Sequence, residues 1–250
     1  MNSKKIIFAG SNRLGCQILS YLIKQNHKIL LVICNQENGE NQWFPSLEDY
    51  AKKLGLQTIV PKSVNTNSFI SRLKALEPDI GFSIFSSFIF KNQFIELFPN
   101  GLINLHFAPL PKYRGCMPIS WAIINGEKNH GVTIHYIDEG IDTGDIISQV
   151  NIPIKNDDTA LDLYKNCEIE GYNLFKSTLE SIISGTNDRK VQDHDKMTYY
   201  KRNQLRSFEV IDKWDDNRKF NFIRALTFPP LKPAYMIVNG EKVFITSKIY

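Results

Sequence analysis

What most constrains the fold of this chain is a regular alternation, through its first hundred residues, of short apolar runs with segments of helical periodicity. Lys5-Ile6-Ile7-Phe8-Ala9 ends at Gly10 and reads as a buried strand. Ile18, Leu19, Leu22 and Ile23 then recur at helical spacing. Residues 28–34 form a second apolar strand. Ser46 with Asp49 has the form of a capping box, Leu47, Tyr50, Ala51 and Leu54 make the apolar face behind it, and Gly55 ends the helix. Strands are expected again over 57–60, 79–85 and 102–106, with helices near 66–76 and 91–98. Repeated strand–helix–strand units predict an α/β fold, a Rossmann-like, mostly parallel sheet with helices on both faces.

The second half changes character. Residues 132–137 and 145–154 read as strands joined by a loop rich in Gly and Asp. A long helix follows, capped by Thr159 with Asp162, carrying an apolar stripe from Ala160 and Leu163 to Ile182 and Ile183, and stopped by Gly185. Residues 186–200 are polar and read as loop, and 214–226 as helix. Asn239-Gly240 between two β-rich runs signals a hairpin. These shifts place a boundary near 190, with a main domain over 1–190 and a small C-terminal addition, ending in the β-hairpin, over 191–250.

Several classes of function are excluded. The net charge of +4 is scattered, and no basic tract longer than two residues occurs at Lys4-Lys5 or Lys201-Arg202, so nucleic acid is not an expected partner. Cys16, Cys34, Cys116 and Cys167 form no C-x-x-C pair and are expected to be buried thiols in a reducing compartment. The apolar start of the chain is interrupted at Gly10, too early for a signal peptide, and no apolar run reaches the ~18 residues of a membrane helix. A cytoplasmic protein with no membrane partner is the expectation.

Three stretches carry candidate chemistry. The turn Gly10-Ser11-Asn12-Arg13-Leu14-Gly15 follows the first strand but is neither G-x-G-x-x-G nor a phosphate loop. Its N–H groups and Arg13 could meet an anion, which makes Ser11, Asn12 and Arg13 candidate substrate-binding residues; the plain alternative is a tight strand–helix turn. Asn104 and His106 stand two apart on a strand and so share a face, at the end of the strand where open α/β sheets place ligands. An amide that can hold an oxyanion beside an imidazole that can carry a proton suits acyl transfer to an amine. Taken alone, the pair also fits a polar strand end or a satisfied core histidine. The third stretch, His135 to Asp145, holds four carboxylates (Asp138, Glu139, Asp142, Asp145) and two glycines within residues 138–145. That is more acid than a turn needs, and it lacks the D-x-[DN]-x-[DN]-G spacing of a calcium loop.

Asn104-x-His106, the Leu110-Pro-Lys-Tyr-Arg-Gly115 loop and Asp138-Glu-Gly-Ile-Asp-Thr-Gly144 together resemble the formyltetrahydrofolate-dependent formyltransferases, over roughly residues 1–185. The resemblance implies an enzyme that takes the formyl group of N10-formyltetrahydrofolate, with Asn104, His106 and Asp142 catalytic and no metal. It implies a pterin pocket lined by Phe85, Ser86, Phe88 and Ile89 and, chiefly through backbone, by Asp138, Glu139, Gly140 and Ile141. The C-terminal extension is shorter than the tRNA-binding barrel of methionyl-tRNA formyltransferases. With Phe228-Pro229-Pro230 before the hairpin, it resembles the short sugar-nucleotide branch. The acceptor then expected is a dTDP-linked amino-dideoxyhexose such as dTDP-4-amino-4,6-dideoxyglucose, destined for a surface polysaccharide such as O-antigen. Glycinamide ribonucleotide or methionyl-tRNA are the rival acceptors, and a non-catalytic folate or sugar-nucleotide sensor is the rival class. Tyr235, Ile237, Val243 and Ile245 offer more apolar surface than a lone hairpin can hide, so a homodimer through the hairpin is expected.

Overall fold

The computed structural model of the chain describes residues 3–36 and 44–250. It divides into two compact units that interleave along the chain. The first comprises residues 1–106, 133–149 and 171–192. Its strands belong to a seven-stranded sheet: β1 (Lys5–Gly10), β2 (Lys28–Cys34), β3 (Thr58–Ile59), β4 (Ile80–Ile84), β5 (Leu102–His106), and, after a two-residue β6 (Arg114–Gly115), β7 (Asn129–Tyr136) and β8 (Ile146–Pro153). The order is β3-β2-β1-β4-β5-β7-β8. The first five strands pair in parallel, and β7 runs antiparallel to β5. The order reverses at β1, which has β2 on one side and β4 on the other, so the crevice at the ends of β1 and β4 is a topological switch point.

Period two divides the strand side chains between the two faces. On one face Ile7, Ala9, Leu31, Ile33 and Leu102 bury against Phe69 and Leu73 of α3 (Asn67–Lys74) and Phe94 of α4 (Asn92–Ile95). On the other, Phe8 lies beside Phe82, and Phe82 meets Phe175 of the long α6 (Ala160–Ser184) edge-on at 5.3 Å. Tyr172 of α6 in turn meets Tyr21 of α1 (Asn12–Lys24) at 6.1 Å. The expected cap of α6 is present: Thr159 N–H donates to Asp162, and Asp162 N–H donates back to Thr159 Oγ1. Ser46 caps α2 (Leu47–Lys53) by accepting from the Asp49 N–H at 3.2 Å.

Some elements differ from the sequence reading. β3 is two residues, not four, because it meets only Val32 and Ile33 of β2. α4 covers four residues of the expected eight, since beyond it the backbone bonds tighten to i to i+3, from the Leu97 N–H to the Phe94 carbonyl and from the Phe98 N–H to the Ile95 carbonyl. β7 begins at Asn129, three residues earlier than expected. The polar segment 186–200 is not all loop: it includes a bridge of Lys190 to Ile146, a 3₁₀ turn over His194–Lys196, and β9 (Tyr199–Tyr200). Three of the four cysteines are buried as expected, while Cys116 is partly exposed.

The second unit comprises residues 107–132, 150–170 and 193–250. Its core gathers Val210, Phe222, Leu226 and Ala234, with Trp214 against Phe222 at 5.0 Å. A helix absent from the sequence reading, α5 (Pro118–Ile124), packs here on α7 (Asp216–Ala225), with Ser120 Oγ donating to the Ala225 carbonyl. β6 pairs with β9, and Tyr200 is stacked between Tyr113 and Trp121. The expected hairpin is β10 (Ala234–Val238) with β11 (Glu241–Ile245). Its turn places Asn239 at φ 51 and Gly240 at φ 83, the two left-handed residues of a type I′ turn.

Candidate active site

The antiparallel register of β5 and β7 sets Asn104 opposite His135 and His106 opposite Thr133. Residues directly opposite in a sheet share a face, so these four side chains form one polar patch. Thr133 is buried, and its Oγ1 accepts from Gln149 Nε2 at 2.7 Å. The loop after β7 returns over this patch and delivers Asp142. One carboxylate oxygen lies 3.7 Å from His106 Nε2 and the other 3.7 Å from His135 Nε2. The side chains of His106 and Asp142 are 11% and 15% exposed, enough to meet a ligand and little enough to strengthen their mutual attraction.

His135 stands at the start of the acidic stretch, before the Asp138–Gly144 motif, and carried no expected role. Its Nδ1 lies 2.8 Å from the Tyr136 carbonyl oxygen, which can only accept, so Nδ1 carries the proton. Burial pushes the imidazole pKa down to about 4, against an upward pull from Asp142. The ring is therefore neutral near pH 7 and Nε2 is a bare acceptor, so the 3.7 Å approach of Asp142 to it is not an ion pair. Asn104 Nδ2 donates to that acceptor at 3.0 Å. This fixes which end of the Asn104 amide faces His135 and leaves its second N–H to point elsewhere.

A pH dependence follows. At His135 the unfolded chain takes up a proton near pH 6.5, which the folded chain refuses until about pH 4. The stabilisation is present above 6.5 and is lost as the pH falls through that window, by about 3 kcal/mol at most. Thermal melts from pH 7 to 4 should show this slope, and His135→Phe should flatten it; equal slopes in the two proteins would contradict the assignment.

The residues expected to line a pterin pocket lie on loops held by carboxamides that the sequence reading missed. Asn35 Nδ2 donates to the Phe85 carbonyl at 2.8 Å, and its Oδ1 accepts from the Ser87 N–H. Asn65 does the same to the Ile89 carbonyl and the Lys91 N–H. Phe85 is left-handed, at φ 56. Ile89 and Ile141 are exposed, while Phe88 packs against the same core cluster as Ile137. Asp138 spends its carboxylate inside its own loop, accepting from the Gly140 N–H and the Thr143 hydroxyl, and Glu139 is exposed.

The first strand–helix turn departs from expectation at Ser11. Its N–H donates to the Ile84 carbonyl and its Oγ to the Phe85 carbonyl, so neither donor is available to an anion. Asn12, at φ 66, begins α1, and Arg13 is exposed beside it. Among the described residues no group of three or more His, Cys, Asp or Glu side chains is arranged to hold a metal ion. None of the described helices is long and apolar enough to cross a membrane.

A buried neutral imidazole orients an amide here, beside a second imidazole paired with a carboxylate, an arrangement able to hold a developing oxyanion and to carry a proton. Residues 4–179 match the family described as formyl transferase, and residues 218–250 match the N-formyltransferase dimerization C-terminal domain. The chain belongs to the formyl transferase family and is a formyl-transferring enzyme. Methionyl-tRNA formyltransferase of Thermodesulfovibrio yellowstonii is 34% identical over 97% of this chain and 79% of its own. WlaRD, a sugar 3N-formyl transferase solved in the presence of dTDP and 5-N-formyl-THF, superposes with a TM-score of 0.79 at 30% identity, over 97% of this chain and 85% of its own. The N-formyltransferase of Helicobacter canadensis, in complex with folinic acid and dTDP-3-aminofucose, has a TM-score of 0.78 at 32% identity, over 96% and 86%.

Proposed function

We propose that this enzyme moves the formyl group of N10-formyltetrahydrofolate onto the amine of a nucleotide-linked amino-dideoxy sugar. The observation that carries the chemistry is the Asn104–His135 pair beside His106 and Asp142. The free N–H of Asn104 donates to the oxyanion formed when the amine attacks the formyl carbon. His106, steadied by Asp142, receives the proton the amine loses. The new C–N bond forms, the bond to the folate N10 breaks, and that nitrogen leaves with the proton His106 has received from the amine, which restores the neutral imidazole. The pterin lies against the loops over 85–89 and 138–141, where exposed Ile89 and Ile141 offer apolar contact and the remaining groups are mainly backbone. The catalytic machinery is assigned to residues 1–190 and the extension to 191–250.

The dTDP ligands of the two solved relatives support a dTDP-linked acceptor, and both are associated with a 3-amino position rather than the 4-amino position expected from the sequence. A 3-amino-3,6-dideoxyhexose on dTDP is therefore the preferred acceptor. The 34% identity to a methionyl-tRNA formyltransferase keeps that acceptor as the second reading. Tetrahydrofolate release should be stimulated by dTDP-3-amino sugars, more weakly by the 4-amino isomers, and not by methionyl-tRNA or glycinamide ribonucleotide. Release driven by methionyl-tRNA alone would reverse the assignment.

The enzyme is also proposed to dimerise through its hairpin, a reading supported by the family match over residues 218–250. Ile237 and Phe244 are exposed on one hairpin face, and Val238 and Val243 on the other. Ile237→Glu with Phe244→Glu should convert a dimer to a monomer in light scattering without loss of folding, because neither side chain is in the buried core around Ala234. A wild-type protein that is monomeric at micromolar concentration would refute it.

A further inference from the structure

Gln192 is 3% exposed, an unusual burial for a carboxamide in a polar segment between secondary-structure elements. Its amide nitrogen, Nε2, donates to the Asp142 carbonyl at 2.9 Å and to the Gly144 carbonyl at 2.7 Å. Both N–H bonds of one side chain are thus committed to the backbone of the loop that carries Asp142.

The loop needs such a tie. Asp142 is left-handed, at φ 54, a conformation disfavoured for any residue with a Cβ. Two residues on, Gly144 lies so close to the Tyr136 carbonyl that a Cβ there would overlap it. Gln192 reaches the loop because its own segment is fixed. Lys190 exchanges two backbone hydrogen bonds with Ile146, at 2.8 and 2.9 Å. Arg189 pairs with Asp145 at 3.3 Å and lies over the Tyr136 ring at 4.0 Å. The strap over 187–192 therefore runs along the start of β8 and ends with a buried amide under the acidic loop.

We propose that Gln192 is a positioning residue for the formyl transfer: by holding the Asp142 and Gly144 carbonyls together it keeps the Asp142 carboxylate between His106 and His135. The amide also matches its partners chemically, since two carbonyl acceptors require two donors and a neutral NH₂ supplies both without adding charge beside Asp142. The inference rests on the reading that Asp142 serves His106.

Gln192→Met keeps the length of the side chain and removes both donors. It should lower kcat about 10- to 100-fold, as a displacement of roughly 1 Å at a reacting centre does, while the KM for formyltetrahydrofolate stays within about twofold. Combined with Asp142→Asn it should cost little more, because a residue that acts only through Asp142 has nothing left to position. Gln192→Glu is the second variant. Ionised, it cannot donate to either carbonyl; protonated, it donates to one. Its activity relative to wild type should therefore rise as the pH is lowered. Full activity of Gln192→Met beside a dead Asp142→Asn would overturn the proposal alone. So would additive losses in the double variant, or a relative activity of Gln192→Glu that does not change with pH. Full activity of Asp142→Asn would overturn the underlying reading and the proposal with it.

Discussion

Asp142→Asn is expected to lower turnover about 10²–10⁴-fold while folate binding, measured by calorimetry, stays nearly unchanged. The expectation comes from the discrimination the structure makes among four acids crowded into eight residues. Asp142 alone approaches the two histidines, one oxygen to each at 3.7 Å, from a position only 15% exposed. A carboxylate there stabilises a cationic His106 when it takes up a proton; a neutral amide of the same shape cannot. Asp138 is occupied by Gly140 and Thr143, and Glu139 is exposed. Asp145 forms a partly exposed pair with Arg189, of a kind usually worth less than about 1 kcal/mol. Asp145→Asn and Glu139→Gln should thus stay within a few-fold of wild type in steady-state kinetics. A dead Asp145→Asn beside an active Asp142→Asn would show that the loop has been read in the wrong register.

Asn104→Ala should lower kcat about 10²–10³-fold, the usual consequence of removing one oxyanion donor. The structure adds a second expectation. His135 Nε2 is a buried acceptor that takes its hydrogen bond from the Asn104 amide, so removing the amide leaves that lone pair to be satisfied some other way, at a cost of about 1–3 kcal/mol. The variant should therefore melt at a lower temperature as well as turn over slowly, and kinetics must be read well below its transition. Asn104→Ala with wild-type turnover would remove the amide from the mechanism, whatever its effect on stability.

The parts of this site that could be read from the sequence are those whose signal is local. Asn104 and His106 share a face because strand periodicity is two, and the hairpin at Asn239-Gly240 follows from what two left-handed residues require. His135 is different. Its partnership with Asn104 depends on the register of two antiparallel strands 31 residues apart, which no periodicity along either strand reports. Asn35, Asn65 and Gln192 bond to backbone groups, and a backbone partner leaves no trace in residue type. The helix α5 was missed for a separate reason: seven residues are too few for a strong period, although Pro118 at its start and Gly126 just beyond its end were available as boundary signals. The Gly10–Gly15 turn has the residue types of an anion site, but at Ser11 the backbone N–H is taken by the Ile84 carbonyl of β4 and the hydroxyl by the Phe85 carbonyl, partners that residue types along the turn do not report.

The central claim is that the formyl carbon ends on a sugar amine. The direct measurement is to supply formyltetrahydrofolate labelled with carbon-13 in the formyl group, together with a dTDP-linked amino-dideoxyhexose, and to record the nuclear magnetic resonance spectrum of the purified sugar nucleotide. The expected result is a labelled formamide carbon coupled to the proton at the aminated sugar carbon, appearing at least about 10²-fold more slowly when Asp142→Asn replaces the wild type. A label that remains on folate, or appears as free formate at the same rate with and without the sugar nucleotide, would contradict it.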